Sequence, residues 1–173
     1  MPDGGNPSAM RAFQPSKATE RDLRDALGRF ATGICVVTTH TDKGPLGITA
    51  NSFASVSLDP PLVLWSPARA SKRFSAFAAT REFAIHVLGE DQDDVCRRFS
   101  QGGWDFDGLD WQPGSDGTPL IEGCLARFEC GLAAQHDGGD HLIIIGKVGA
   151  VAYRDGAPLL FSGGGYGRFT GAL

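Results

Sequence analysis

The chain has 173 residues, 42% hydrophobic and 21% charged, with a formal net charge of −4. That composition suits one globular domain with a full core and excludes a disordered chain, and the acidic balance leaves no overall electrostatic footprint for nucleic acid. Glycine is abundant at 24 residues, roughly twice its usual share, which favours turns and close backbone approaches over a helical bundle.

Residues 1–19 hold Pro, Gly, Ser and Asn without the apolar segment of a secretory signal, and read as a flexible tail ahead of a domain over 20–173. Thr19-Glu20-Arg21-Asp22 resembles a capping box. Leu23, Ala26, Leu27 and Phe30 then repeat at helical spacing up to Gly33, predicting an amphipathic helix of about three turns. Short β-branched runs predict strands over 34–40, 46–50, 54–58 and 62–65, broken by Asp42-Lys43-Gly44-Pro45 and Asp59-Pro60-Pro61. A helix is expected over 71–80, a strand over 82–88, and a helix over 91–99 that is acidic at its start and basic near its end.

Residues 101–119 are rich in Gly, Asp, Trp and Pro and read as a long surface connection. Strands over 125–136 and 141–153 flank Asp137-Gly138-Gly139-Asp140 and predict a hairpin, with Phe128, Cys130, Leu132 and Ala134 on one face. A last strand is expected over 159–161. Many strands, few helices and Gly-rich turns predict a mainly β fold, an antiparallel closed or partly open barrel with a few peripheral helices.

Three constellations carry candidate chemistry. Thr49 and Asn51 share one strand face, with Ala50 between them and Ser52 after them, and Ser55 and Ser57 flank Val56 on the next strand. Such groups hydrogen-bond a flat, heteroatom-rich ligand; they also make a satisfied Ser/Thr-rich turn. In Ser66-Pro67-Ala68-Arg69-Ala70-Ser71-Lys72-Arg73 a strand ends and a helix is expected at Ser71. Its free N–H groups and three cations form a cradle for one phosphate, or simply a solvated basic helix start. Gly139-Asp140-His141 places a histidine at a strand start, at a barrel rim, where it serves a substrate or the fold.

Other chemistries lack their motifs. There is no CxxC, GxSxG or Walker A, and residues 163–167 (Gly-Gly-Gly-Tyr-Gly) lack the last glycine of a dinucleotide fingerprint. Cys35, Cys96, Cys124 and Cys130 read as reduced, at least partly buried thiols, so a cytoplasmic location is expected. No metal site is expected.

The chain resembles the short-chain flavin reductase family with the FMN-binding split-barrel fold, the reductase partners of two-component flavin monooxygenases. The resemblance rests on Ala31-Thr32-Gly33-Ile34-Cys35-Val36-Val37-Thr38-Thr39, on residues 47–64 with Thr-Ala-Asn-Ser-Phe and Ser-Leu-Asp-Pro-Pro, on Phe83-Ala84-Ile85-His86-Val87-Leu88, on Gly139-Asp140-His141 and on Pro158-Leu159-Leu160-Phe161. It covers about residues 20–169 and leaves 163–167 unplaced. It implies that Thr49, Asn51 and Ser52 hold the ribityl–phosphate side of FMN or FAD. Ser55, Val56 and Ser57 would line the isoalloxazine, and Ser71 and Lys72, with Arg73 beside them, would meet the phosphate. Trp65 and Ser66 would end the strand leading to that loop, and His141 would sit near the nicotinamide of NADH or NADPH.

The resemblance further implies a homodimer with flavin at the interface, which agrees with the expectation that Phe53 and Trp65 would be exposed in a lone subunit. The activity it implies is NAD(P)H-dependent reduction of flavin for a partner oxygenase. The alternatives are a non-enzymatic flavin- or haem-binding split-barrel protein, and a small barrel for an unrelated apolar ligand.

Overall fold

The computed structural model describes residues 10–169, so the first nine residues of the expected tail lie outside it. The elements are α1 (Glu20–Leu27), β1 (Thr32–Gly33), β2 (Cys35–Thr41), β3 (Gly44–Ala50), β4 (Ala54–Leu58), β5 (Pro61–Trp65), α2 (Phe74–Ala79), β6 (Glu82–Val87), α3 (Asp93–Gln101), β7 (Trp111–Pro113), β8 (Pro119–Ile121), β9 (Ala126–Gly138), β10 (His141–Tyr153), β11 (Leu159–Ser162) and β12 (Gly165–Arg168). Seven strands form the main sheet in the order β3-β2-β6-β9-β10-β5-β4, each neighbouring pair antiparallel. Its end strands β3 and β4 are consecutive in sequence yet do not pair with each other. The wall is therefore split along residues 51–53, in agreement with a split barrel.

β2 explains why the chain opens its sheet with an unbroken apolar run. Alternate side chains face two different cores. Cys35 and Val37 point into the barrel with Leu46, Ile48, Trp65, Phe77 and Phe83, while Ile34 and Val36 join Val95, Phe99, Phe106 and Ile121 beneath α3. Gly47 on β3 is required by that second layer, because a Cβ there would lie 2.5 Å from Cδ1 of Phe99. All four cysteines are buried and unpaired.

Several expectations are corrected. Residues 101–119 are no mere surface connection: Phe106 stacks edge-on between Phe99 and Trp111, and β7 pairs with β8. The α1 helix ends at Leu27, before Phe30, and buries no residue. The Thr19 hydroxyl accepts from the Ser16 N–H, 2.9 Å, one turn before the expected cap. The α2 helix begins at Phe74 rather than Ser71. Residues 163–167 turn back through Gly163 and Gly164, at φ 58° and 83°, to form β12 on β11. Phe128, Cys130 and Leu132 share the barrel-core face as expected, while a shift in the β9–β10 register sets Ala134 beyond the bulge. Trp65 is fully buried and Phe53 stacks on Phe128, so neither supplies exposed apolar surface; Val56, Leu58, Val151 and Tyr153 do.

Candidate active site

A cavity of about 660 Å³ opens beside the split. Five segments meet in it: the end of β3 with Thr49, Ala50 and Asn51, the seam at Ser52, the end of β5 at Trp65 with the loop 66–73, the end of α3 running to Trp104, and the start of β10 at His141. The loop is pinned to the hairpin turn by backbone bonds, from Arg69 N–H to the Asp140 carbonyl at 2.8 Å and from Leu142 N–H to the Pro67 carbonyl at 3.1 Å. Those bonds bring His141 opposite Ala68.

Of the three cations expected around a phosphate, Arg69 and Arg73 have side-chain hydrogen-bond partners and Lys72 has none among the described residues. The Arg69 guanidinium donates to Asp137 at 2.5 Å and to the Gly139 carbonyl at 3.1 Å, and lies over the Phe74 ring. The Arg73 guanidinium donates to the carbonyls of Phe99, at 2.6 Å, and Gly102, and burial pushes its pKa down. Arg73 therefore lines the cavity and at the same time ties α2 to α3 through Nη1. Lys72 is exposed, lines the cavity and has no ion pair among the described residues. Ser71 lies in the turn ahead of α2, where its Oγ accepts from the Arg73 N–H at 3.2 Å.

The polar wall divides in the same way. Thr49 donates its hydroxyl to the Cys96 carbonyl at 2.7 Å, which fastens β3 to α3. Ser52 accepts from the Ser66 N–H at 2.9 Å and donates to the Ser66 carbonyl at 3.3 Å, closing the seam. Their protons are engaged within the chain. Asn51 is exposed on the wall, and its amide has no partner among the described residues. Trp65 borders the cavity but is wholly buried in the barrel core against Phe77 and Phe83, and its indole N–H has no acceptor among the described residues.

His141, at the start of β10, stands on the same wall. Its Nδ1 lies 2.7 Å from the Asp140 carboxylate, and that bond holds the Asp140 carboxyl below its usual pKa. His86, wholly buried, is structural. Its Nδ1–H donates to the Val36 carbonyl and its Nε2 accepts from the Ile121 N–H, each at 3.0 Å. Burial lowers its pKa to about 4.

Ser55, Val56 and Ser57 lie apart from the cavity wall, on the edge strand β4, with Ser55 and Val56 exposed. Two wall residues escape a reading by spacing. Trp104 stands in a segment that looked like surface connection, and Tyr166 with Phe161 lines a smaller cavity of about 170 Å³ that shares Thr49, Ala50 and Asn51.

Comparison with known proteins places this geometry. Residues 27–170 match the family described as "Flavin reductase like domain". The chain is 58% identical to FMN reductase (NADH) SmoA of Agrobacterium fabrum, over 91% of each chain. It is 44% identical to the reductase subunit HsaB of a flavin-dependent monooxygenase of Mycobacterium tuberculosis, over 84% of this chain and 80% of that one. Among solved structures it is similar to the Streptomyces globisporus NADH:FAD oxidoreductase SgcE6 in complex with NAD and FAD fragments, with a TM-score of 0.84 and 38% identity over 92% of this chain and 98% of that one.

Proposed function

Because this chain belongs to the flavin reductase family, we infer that the cavity beside the split is where a nicotinamide reduces a flavin. The chain is an NADH-dependent flavin oxidoreductase that supplies reduced flavin to a separate oxygenase component. The reading is supported by relatives of that description and, above all, by one large cavity that gathers the exposed Asn51 amide, the Lys72 ammonium and His141. A flavin fits this donor set, because it is flat, rich in acceptor atoms and, as FMN or FAD, ends its ribityl chain in a phosphate.

When bound, the flavin supplies the redox chemistry, taking hydride at N5 from C4 of the nicotinamide. The protein's work is positioning, and it needs no paired carboxylates. In this reading Lys72 meets the phosphate as the free cation, with the Ser71 turn beside it. Asn51 satisfies flavin heteroatoms, and Trp65 packs behind the wall. Thr49, Ser52 and Ser66 hold the two walls at fixed spacing, with Ala50 keeping β3 clear of the ligand. His141, oriented by Asp140, holds the hydride donor through geometry.

Ser55, Val56 and Ser57 enter as the part of the site that a second copy completes. The open edge of β4 exposes Val56 and Leu58, and the end of β10 exposes Val151 and Tyr153, which supports a homodimer across that face. The cytoplasm is the proposed compartment, supported by four unpaired thiols; no helix among the described residues is long and apolar enough to cross a membrane.

The deciding assay is NADH consumption by the purified chain with and without added FMN or FAD. Flavin-dependent turnover is expected, and a protein that binds flavin without oxidising NADH would overturn the reading.

A further inference from the structure

We propose that Trp104 is a stacking platform for an adenine ring, so that the cavity takes a dinucleotide past its phosphate end; this rests on the flavin reductase reading above. Of the chain's three tryptophans, Trp65 is fully buried and Trp111 half-buried, while Trp104 is 49% exposed on the cavity wall. A single exposed aromatic is ordinarily unremarked. This one is held in place by its neighbours.

The Gly103 carbonyl accepts from the Gly47 N–H at 2.8 Å, and Arg73 clasps the carbonyls of Phe99 and Gly102. Gly103 itself is buried, and a Cβ there would come within 2.8 Å of the Gly47 carbonyl oxygen and 2.7 Å of Cδ of Arg73. The backbone before Trp104 is thus seated flat on β3, which lowers the ordering cost of stacking a ligand on the ring. The same contacts join the segment that carries Trp104 to the segment that carries Lys72, and both residues line one cavity.

A mononucleotide ends at its phosphate. A dinucleotide continues through a second phosphate and a ribose to an adenine, whose flat face matches an exposed indole. Base–aromatic stacking is strong enough to change affinity by roughly ten- to a hundredfold. Two ligands carry that adenine: FAD, and NADH itself.

The test uses the full chain with Trp104→Leu and Trp104→Phe. Dissociation constants are measured for FMN and FAD by fluorescence titration. KM is measured, with FMN as acceptor, for NADH and for reduced nicotinamide mononucleotide, which lacks the adenine. We expect Trp104→Leu to weaken FAD by roughly ten- to a hundredfold while FMN is unchanged, and Trp104→Phe to restore most of the loss. If FAD is unaffected and KM rises for NADH but not for the mononucleotide, the platform serves the adenine of the hydride donor. Equal losses for FMN and FAD, or no change with any of the four ligands, overturn the proposal. In those cases flavin binding by the unmodified chain keeps the reductase reading standing. An unmodified chain that binds neither flavin removes both.

Discussion

Nδ1 of His141 lies 2.7 Å from Oδ1 of Asp140, the residue before it. The pair is locked from both sides, since the Asp140 carbonyl also accepts from the Arg69 N–H, and the Arg69 side chain ties the turn through Asp137 and Gly139. A ring anchored at Nδ1 offers Nε2 to whatever enters the cavity. The orienting group is a neighbour in sequence, yet its effect depends on a loop some seventy residues earlier, 70 from Arg69 to Gly139.

His141→Ala is expected to lower kcat/KM for NADH roughly ten- to a hundredfold, about 1.4–2.7 kcal/mol, with flavin affinity unchanged. Asp140→Ala keeps the imidazole but frees its rotation, so it should give a smaller loss in the same parameter. Steady-state kinetics with flavin titrations checks both; a loss of flavin affinity with normal NADH kinetics would move His141 out of the hydride-donor site.

Lys72→Ala should weaken FMN about tenfold or more, the contribution of a hydrogen bond to a charged group, and leave riboflavin almost untouched. Only FMN carries the terminal phosphate. Parallel fluorescence titrations decide it, and equal losses for both ligands would make Lys72 a solvated side chain.

Asn51→Ala should weaken flavin by about 1–3 kcal/mol, because ligand atoms lose a partner inside a site that water does not fully reach. Unlike Thr49 and Ser52, whose hydroxyls bind Cys96 and Ser66, Asn51 has no structural bond to confound the measurement among the described residues. An unchanged dissociation constant would exclude it from the site.

His86 predicts an acid limit to stability. Its pKa falls from 6.5 to about 4 on folding, so the unfolded chain binds the extra proton between those values. The stabilisation is complete above about pH 6.5 and lost as pH falls through about 4, amounting to about 3 kcal/mol. Chemical denaturation at pH 7 and pH 4 should show this loss, and His86→Leu, less stable at pH 7 for want of bonds to Val36 and Ile121, should show a shallower pH slope. Identical slopes in the two proteins would refute the assignment.

Light scattering at micromolar concentration should report a dimer. Leu58→Glu, at a position 96% exposed in the lone subunit, should shift it to monomer without unfolding it, as circular dichroism would verify. A monomeric unmodified chain would leave Ser55, Val56 and Ser57 with no second copy to complete their site.

Much of the barrel is legible in periodicity alone. The strands β4 and β10 fall where the residue pattern ends them, because Asp59-Pro60 and Gly139-Asp140 stop pairing locally. Positions 49–52, 65–66, 71–73 and 141, distant in sequence, line one cavity, while 55–57 lie apart from it. What no local pattern carries is whether a side chain is free. Arg73 reads only as a phosphate ligand, yet the end of α3 also brings the Gly102 carbonyl to its Nη1 from 29 residues away. Trp104 looks like loop until Gly103 is found packed against β3. Phe106 and Trp111 sit among glycines and aspartates, and only the second core, assembled from β2, α3, β7, β8, β11 and connecting loops, reveals them as filling.

The four thiols bear on how such a chain endures its own chemistry. Reduced flavin that strays from its oxygenase meets dioxygen and yields hydrogen peroxide, which oxidises the thiolate form of cysteine and largely spares the thiol. Burial pushes Cys35 and Cys130 up to about 12, and raises Cys96 and Cys124 as well. Burial thus keeps each of the four sulfurs protonated and shielded, so none of these thiols is a ready target for that peroxide.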